Sequence, residues 1–284
     1  MDLFSVKTIK ELLGKQGIRP RKSLGQNFLI SRGVLGDILK AANLTKQDTV
    51  LEIGPGIGTL TRGLAQSAKR VVAVEKDPAM VEILKETTKD LPNIEIIQGD
   101  ILKLRQAKEL LILSKEAYRV VANLPYYITS PVIRMFLEAE TKPELLVLMV
   151  QKEVAQRICA KPPKMSLLAV SVQIYGEPSI VAYVKKGCFW PQPKVDSAIL
   201  KIAPHNLTKL SYPQLDLVKF FTVVKAGFKQ PRKQLGNNLA SGLKLSRNQV
   251  ETWLSQVGIQ PTQRAETLSV QDWINLSKSG IIKA

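Results

Sequence analysis

Short apolar runs alternate with segments of helical spacing along the first 203 residues of the chain. The runs are rich in β-branched residues and end at polar or glycine-containing turns, as buried strands do. They cover residues 49–53, 70–74, 94–98, 119–122 and 145–150. The segments between and after them carry apolar residues on one helical face, at 60–66, 78–87, 131–138, 152–158 and 166–175. This alternation predicts an α/β fold with a mainly parallel sheet covered on both faces.

The pattern changes towards the C-terminus. Two further strands are predicted, at 179–184 and 195–202, facing each other across a turn-rich segment. Beyond residue 204 only helical periods remain, separated by glycine and polar breaks. They lie at 214–228, 233–240, 247–257 and 270–278. We therefore predict an α/β domain over 23–203 and a small all-α domain over 204–284.

The first 22 residues precede the predicted sheet. Residues 6–13 have the spacing of a short helix, and a frayed arm is the alternative. The segment lacks the apolar centre of a signal peptide. Nowhere does the chain have the roughly 18 consecutive apolar residues that a membrane span needs. We expect a soluble, cytoplasmic protein with no membrane partner.

The first predicted strand ends in three glycines, Gly54, Gly56 and Gly58. Glycine allows positive φ and close approach of a ligand to the backbone, so a nucleotide-like molecule is expected over this turn. A dinucleotide fingerprint needs its third glycine one residue later, where Thr59 stands. The spacing instead looks like the S-adenosylmethionine loop of class I methyltransferases. A glycine-rich turn without a ligand is the alternative.

Two carboxylates follow the next two predicted strands. Glu75 ends the second strand, where a carboxylate can accept hydrogen bonds from ribose hydroxyls. It could instead cap the following helix, although Asp77 is better placed for that role. Asp100 follows the third strand and could accept from an adenine amino group. Its alternative role is the N-cap of a short helix.

The fourth predicted strand closes on Asn123, Leu124, Pro125 and Tyr126. An adenine N6 amine is a poor nucleophile, because its lone pair is delocalised into the ring. The Asn123 oxygen and a backbone carbonyl near Leu124 or Pro125 could hold the amine hydrogens and favour a pyramidal nitrogen. The Tyr126 ring offers a stacking surface worth ~1–3 kcal/mol per base. A plain turn at the end of a strand is the alternative.

Composition indicates a polyanionic partner. The chain has 41 Lys and Arg against 24 Asp and Glu, a formal charge of +17 and a pI of about 9.8. Nucleic acid is the commonest partner of such a chain, and a solubilising surface charge or attraction to anionic lipid is the alternative.

The sequence offers no usual zinc site and no histidine-dependent triad. His205 is the only histidine, and Cys159 and Cys188 have no Cys-x-x-Cys partner. We interpret both cysteines as structural thiols of a reducing compartment, and we predict no metal.

Four motifs occur in an order that resembles a known family. They are Gly-Gln-Asn-Phe-Leu at 25–29, Glu-Ile-Gly-Pro-Gly-Ile-Gly-Thr at 52–59, Asn-Leu-Pro-Tyr at 123–126 and Phe-Trp-Pro-Gln-Pro-Lys-Val-Asp-Ser at 189–197. Together they resemble the ribosomal RNA adenine N6-dimethyltransferases, and most closely the bacterial enzymes of the small subunit. One departure is Tyr127, where many relatives carry Asn.

The resemblance implies a class I S-adenosylmethionine-dependent, Rossmann-like sheet followed by a small helical domain. It implies that the chain dimethylates two adjacent adenosines in the 3′-terminal hairpin loop of small-subunit (16S) ribosomal RNA, late in assembly of the 30S subunit. The implied cofactor ligands are Asn27, Leu29, Gly54, Glu75, Asp100 and Asn123. The implied target-base residues are Asn123, Leu124, Pro125, Tyr126 and Phe189. By itself, Phe189 would more often be a core residue, and Trp190 is expected to be one.

RNA contacts outside the target base are expected to be electrostatic. The candidates are Arg21 and Lys22 near the cofactor entrance, and Lys229, Arg232 and Lys233 in the helical domain. A solvated helix face is the alternative for each of them. We expect the protein to act as a monomer.

Three other functions compete with this prediction. A macrolide-resistance methyltransferase shares the Asn-Leu-Pro-Tyr loop but modifies one adenosine of large-subunit RNA. A non-enzymatic RNA or assembly factor is disfavoured by the intact Glu75 and Asn123. An NAD oxidoreductase is disfavoured by the glycine spacing.

Overall fold

The computed structural model describes residues 1–21, 24–104, 117–205 and 215–279. The chain forms two compact units. The first consists of Met1–Ala155 with Pro178–Pro204, and the second of Gln156–Glu177 with His205–Ala284. Within the described ranges, no helix has both the length and the apolar character needed to cross a membrane.

A seven-stranded sheet in the described chain organises the first unit. Its strand order is β4-β3-β2-β5-β6-β9-β7, and β1 pairs separately with β8. The strands are β1 (Phe28–Leu29), β2 (Thr49–Ile53), β3 (Arg70–Glu75), β4 (Ile94–Gln98), β5 (Tyr118–Asn123), β6 (Leu145–Gln151), β7 (Gly176–Val184), β8 (Phe189–Trp190) and β9 (Ser197–Pro204). The strands β4, β3, β2, β5 and β6 run parallel, and β9 runs antiparallel to β6. The predicted α/β fold with a mainly parallel sheet is confirmed.

Helices of the first unit begin where local rules place them. They are α1 (Val6–Lys15), α2 (Arg32–Ala42), α3 (Thr59–Ser67), α4 (Pro78–Thr88) and α5 (Thr129–Leu137), and α6 (Lys152–Ile158) begins in this unit. Asp77 caps α4, since its Oδ1 accepts the Ala79 N–H at 3.2 Å and Pro78 starts the helix. The predicted capping role of Asp77 is confirmed.

Two apolar clusters hold this unit together. One joins α2 and α3 to buried residues of the central strands, such as Val50, Val121 and Ile199. The other joins α1 to Phe28, Ile57 and α4. Residues 6–15 therefore form a packed helix rather than a frayed arm, because Ile9 and Leu12 of α1 are almost fully buried.

The second unit is helical. It contains the end of α6, from Gln156 on, together with α7 (Leu167–Gln173), α8 (Leu217–Gly227), α9 (Leu235–Leu243), α10 (Arg247–Gln256) and α11 (Val270–Lys278). Trp253 and Trp273 are fully buried in it. Residues 156–177, which we assigned to the α/β domain, group with these helices. The domain boundaries remain a prediction.

Candidate active site

The candidate site lies at the carboxyl edge of the parallel strands. The strand order reverses between β2 and β5, and such switch points form the usual ligand crevice of an α/β sheet. A cleft with a cavity volume of about 150 Å³ opens there. All the predicted cofactor and target-base residues line it: Asn27, Leu29, Gly54, Glu75, Asp100, Asn123, Leu124, Pro125, Tyr126 and Phe189. The structure brings these side chains together, and their individual roles remain predictions.

The glycine loop has the conformation that only glycine adopts without strain. Gly54 has φ +67° and Gly56 has φ +57°. The Gly54 N–H donates to the Val74 carbonyl at 2.9 Å, which holds the loop against β3. A Cβ on Gly56 would lie 3.3 Å from the Phe28 ring, so the missing side chain lets this ring pack closely against the loop.

Glu75 is a buried carboxylate held by two backbone groups. Its Oε1 accepts the Asp77 N–H at 2.9 Å, and its Oε2 accepts the Gly56 N–H at 3.1 Å. Burial raises the pKa of Glu75, although these N–H groups counteract the shift. Each oxygen keeps further lone-pair capacity, which could serve a pair of ribose hydroxyls. Since Asp77 caps α4, Glu75 does not take the alternative capping role.

The position of Asp100 is compatible with both of its predicted roles, as an acceptor in the cleft and as a cap of the following turn. It lines the cleft, and its Oδ1 also accepts the Leu102 N–H at 3.1 Å in the following turn. Its Oδ2 lies 2.9 Å from the Lys76 ammonium. Burial raises the pKa of Asp100, but Lys76 and the Leu102 N–H outweigh burial and leave it below its usual value. Asp100 is therefore an ionised acceptor at neutral pH.

The Asn123 amide has a defined orientation. Its Nδ2 donates to the Asn27 carbonyl at 3.1 Å. A carbonyl oxygen only accepts, so the amide nitrogen must be the atom that faces Asn27. The Asn123 oxygen is thereby the acceptor left for a ligand in the cleft. This matches the predicted task of holding an amine hydrogen.

The rest of the loop is fixed by the sheet behind it. The Leu124 N–H donates to the Met149 carbonyl at 3.3 Å, which extends the pairing of β5 with β6. The Tyr126 hydroxyl lies 2.8 Å from the Ser197 hydroxyl. Burial raises the pKa of Tyr126, so the ring stays neutral at physiological pH. Phe189 is only 3% exposed and belongs both to the core and to the wall of the cleft.

Residues 24–29 form a strap across the cleft that local patterns did not predict as structure. Gln26 Nε2 donates to the buried Asp77 Oδ2 at 3.0 Å, and Arg21 Nη1 lies 3.6 Å from the same oxygen. The carbonyl of the next residue, Asn27, accepts from the Asn123 amide. The strap therefore joins the side of the cleft at Glu75 to the side at Asn123. Its only signal in the sequence was the Gly-Gln-Asn-Phe-Leu motif, which assigned no role to Gln26.

Gln26→Ala is expected to raise the cofactor Kd about tenfold, mainly through faster dissociation. A hydrogen bond to a charged group contributes about 1.5–3 kcal/mol, and its loss removes one of the two contacts that hold the strap. Calorimetry and rapid-mixing dissociation kinetics with S-adenosylmethionine measure this effect. Gln66→Ala, at an exposed position on α3, is the matched control. Equal dissociation rates for both variants and the wild type would contradict the strap's role.

Glu52 is a second group that the sequence prediction left without a role. It is 1% exposed next to the carboxyl end of β2, and its Oε2 has no hydrogen-bond partner among the described residues. Burial raises the pKa of Glu52 to about 8, and the charge of Glu75 acts in the same direction. A charged residue inside an apolar strand was the signal available in the sequence. The group is largely protonated at neutral pH, so it adds little negative charge beneath the glycine loop.

Glu52→Gln is expected to reduce the pH dependence of stability between about pH 4.5 and pH 8. The folded pKa lies above the ordinary value of 4.5, so the folded chain retains a proton that the unfolded chain releases. The contribution of Glu52 is therefore fully present below pH 4.5 and declines as the pH rises towards 8. Urea unfolding at pH 5 and pH 8.5 measures it, with the exposed Glu140→Gln as control. Parallel pH profiles for wild type and Glu52→Gln would refute the assignment.

The predicted RNA-contacting residues fall in separate places. Lys229, Arg232 and Lys233 are exposed in the second unit, on the connection from α8 to α9. The buried Asn238 amide fixes this connection by donating to the Gly227 and Gln230 carbonyls at 2.7 and 2.9 Å. Arg21 lies beside Asp77, and Lys22 is outside the described residues. RNA contact by these residues remains a prediction.

Comparison with known proteins gives consistent matches over almost the whole chain. The family model described as ribosomal RNA adenine dimethylase matches residues 17–281. A ribosomal RNA small subunit methyltransferase A of Dehalococcoides mccartyi is 49% identical over 265 residues, covering 93% of this chain and 89% of that protein. The protein of the same name from Clostridium botulinum is 41% identical over 273 residues, covering 94% of this chain and 96% of that protein.

Two solved structures are similar over most of the chain. The 23S rRNA methyltransferase ErmE has a TM-score of 0.71 at 29% identity, covering 89% of this chain and 99% of that chain. A dimethyladenosine transferase from Plasmodium falciparum has a TM-score of 0.69 at 26% identity, covering 87% and 95%.

Proposed function

Because the chain belongs to the ribosomal RNA adenine dimethylase family, we propose that it transfers methyl groups from S-adenosylmethionine to small-subunit ribosomal RNA. The target is N6 of two adjacent adenosines in the 3′-terminal hairpin loop, and the product is N6,N6-dimethyladenosine. The observation that carries this proposal is the fixed Asn123 amide, whose oxygen is left to accept at the end of β5. Relatives named for this subunit match at 41–49% identity.

The cleft fits the proposed cofactor. S-adenosylmethionine supplies a methyl group activated on a sulfonium, so the reaction needs no covalent enzyme intermediate. Gly54 and Gly56 have no side chain between the backbone and the position of the ligand. The carboxylate oxygens of Glu75 would accept hydrogen bonds from a ribose. Asp100 and Asn123 supply further acceptors on the same cleft.

The protein's own contribution is alignment. The Asn123 oxygen and a backbone carbonyl of the loop would hold the two N6 hydrogens of adenine, so that the nitrogen lone pair is directed away from the ring plane. The Tyr126 and Phe189 rings would hold the base in place once it has left its stack. Fixing the reacting atoms in line lowers the barrier without a strong general base.

The finer assignments follow from this proposal. The RNA would be encountered in the assembling 30S subunit in the cytoplasm, and the protein would act as a monomer. The formal charge of +17 suits a ribosomal RNA partner. The exposed Lys229, Arg232 and Lys233 would bind backbone phosphates.

The direct test is methyl transfer from labelled S-adenosylmethionine to under-methylated small subunits, with the modified nucleosides identified by mass. Dimethyladenosine in the 3′-terminal hairpin is the expected product. Incorporation into large-subunit RNA alone would favour a macrolide-resistance enzyme, an alternative supported by the similarity to ErmE at 29% identity. Tight RNA binding without methyl transfer would favour a non-enzymatic factor.

Replacing Lys229, Arg232 and Lys233 together by Ala should weaken binding to small subunits and flatten its salt dependence. Each lost phosphate contact lowers the slope of log K against log salt by about 0.7–0.9. Binding titrations between 50 and 200 mM salt measure the slope, with S-adenosylmethionine affinity as the control. An unchanged slope would place the RNA-binding face elsewhere.

A further inference from the structure

Two aromatic rings are more than half exposed among the described residues: Tyr127 at 54% and Tyr183 at 55%. Tyr127 lines the cleft next to Tyr126. Tyr183 lies near the end of β7, the last strand of the sheet, and does not line the cleft. Tyr183 therefore contributes little to the core and keeps more than half of its surface exposed.

A lysine accompanies the Tyr183 ring. The Lys152 ammonium lies 5.2 Å from the ring centroid, within the range of a cation–π contact. Lys152 directly follows β6, and its N–H donates to the Asp196 carbonyl at 3.0 Å. The position of Lys152 is therefore fixed by the pairing of β6 with β9.

The same pairing connects this site to the target-base loop. Gln151 of β6 pairs with Ser197 of β9, and the Ser197 hydroxyl contacts the Tyr126 hydroxyl at 2.8 Å. In the order β5-β6-β9-β7, the strand that ends at Asn123 and the strand that holds Tyr183 are three strand spacings apart, or roughly 14 Å across the sheet. An RNA loop that enters the cleft can reach the Tyr183 ring without crossing the half of the sheet that holds the glycine loop.

The segments that flank Tyr183 and Lys152 are predominantly basic. Lys185 and Lys186 follow Tyr183 and are exposed, as is Lys194. Two acidic residues lie in the same segments, Glu153 and Asp196, and the Asp196 Oδ1 accepts the Lys186 N–H at 3.0 Å. These segments therefore carry four lysines, counting Lys152, and two acidic residues. The excess of positive charge favours an anionic ligand.

We propose that Tyr183 with Lys152, Lys185 and Lys186, here called the Tyr183 platform, binds an unpaired nucleotide that flanks the target adenosine. The base stacks on the Tyr183 ring, and the lysines contact its phosphates. Stacking on exposed aromatic rings beside a basic surface is a common mode of single-stranded RNA recognition. This inference rests on the proposed function, because it takes the methylated RNA loop as the ligand.

The test compares full-length Tyr183→Ala, Tyr183→Phe, Lys152→Ala and Val181→Ala. Val181 is the matched control, since it is 43% exposed two residues away on the same strand. Affinity for under-methylated small subunits, methyl transfer to them, S-adenosylmethionine affinity and thermal unfolding are measured for each variant. Tyr183→Ala is expected to weaken RNA affinity by about 5- to 150-fold, the range for one lost base stack. Tyr183→Phe should stay within about twofold of wild type, and Lys152→Ala should lower the salt slope.

The outcomes separate the platform from the proposed function. Weaker RNA binding by Tyr183→Ala with unchanged cofactor affinity, while Val181→Ala behaves as wild type, supports the platform. Equal RNA affinity for Tyr183→Ala and wild type overturns it, and equal losses for Tyr183→Ala and Tyr183→Phe overturn stacking as its basis. A wild-type protein that binds the subunits but transfers no methyl group overturns the proposed function. In that case the RNA affinities of the variants still show whether the Tyr183 platform binds RNA.

Discussion

Asn123→Ala is expected to lower methyl transfer by at least ~10²-fold, while S-adenosylmethionine affinity falls only a few-fold. Removing one preorganised polar group at a reacting atom typically costs about 10²–10³ in rate. In this protein the Asn123 amide nitrogen donates to the Asn27 carbonyl. The amide oxygen is therefore the atom of this side chain that can accept an amine hydrogen of the target base. Single-turnover methyl transfer with saturating cofactor measures the loss directly.

Two further variants make the Asn123 test specific. Asn123→Asp keeps an oxygen in the cleft but turns a carboxylate towards the Asn27 carbonyl, so it should also be impaired. Asn275→Ala, at an exposed position on α11, controls for the loss of an amide elsewhere. Near-normal dimethylation by Asn123→Ala would remove Asn123 from the mechanism.

Glu75→Ala is expected to lower S-adenosylmethionine affinity by roughly 10²-fold or more. Hydrogen bonds to a charged group contribute about 1.5–3 kcal/mol each, and the carboxylate is placed to accept two from a ribose. The Gly56 and Asp77 N–H groups, which donate to Glu75, also lose their acceptor. The variant should therefore unfold at a lower temperature even without cofactor.

Glu75→Gln should not restore binding. Each carboxylate oxygen accepts a backbone N–H, so an amide group must turn its NH₂ towards one of these donors. Calorimetric titration compares Ala, Gln and the exposed Glu82→Ala control on α4. Cofactor affinity within about threefold of wild type in Glu75→Gln would show that the carboxylate charge and its two acceptors are dispensable.

Features with local causes were predictable from the sequence. β2 and the glycine loop combine an apolar run with three glycines, and both signals act within 13 residues, 49–61. The Asp77 cap follows from a side chain that reaches its own helix start. The predicted family and methyltransferase reaction are confirmed by the family model and the curated relatives, and the predicted fold class by the sheet and the similar solved structures.

Features that join distant segments were not predictable from local patterns. The pair β1 and β8 brings Phe28 opposite Trp190, and two-residue strands have no periodicity to detect. Trp190, expected in the core, is only partly buried and stacks on Phe28. The contact between Gln26 and Asp77 spans 51 residues.

The residues of the candidate site also divide into those that local patterns predicted and those that they did not. Glu75, Asp100 and Asn123 were predicted to lie at one edge of the sheet, because each follows a predicted strand and the carboxyl ends of parallel strands meet at the same edge. Asn27 and Phe189 came from the family resemblance alone, since β1 and β8 lie outside the seven-stranded sheet. The charge state of Glu52 depends on burial from every side, which a linear pattern does not measure.

The insertion of β9 between β6 and β7 has a consequence for the chain as it leaves the ribosome. A nascent chain that ends before Ser197 carries β6 with one edge unpaired, and all but the ends of that apolar strand is buried in the finished protein. Bare apolar edges pair readily with other chains. Once residues 197–204 have left the ribosome, their pairing as β9 covers the edge along which β6 could otherwise bind another chain.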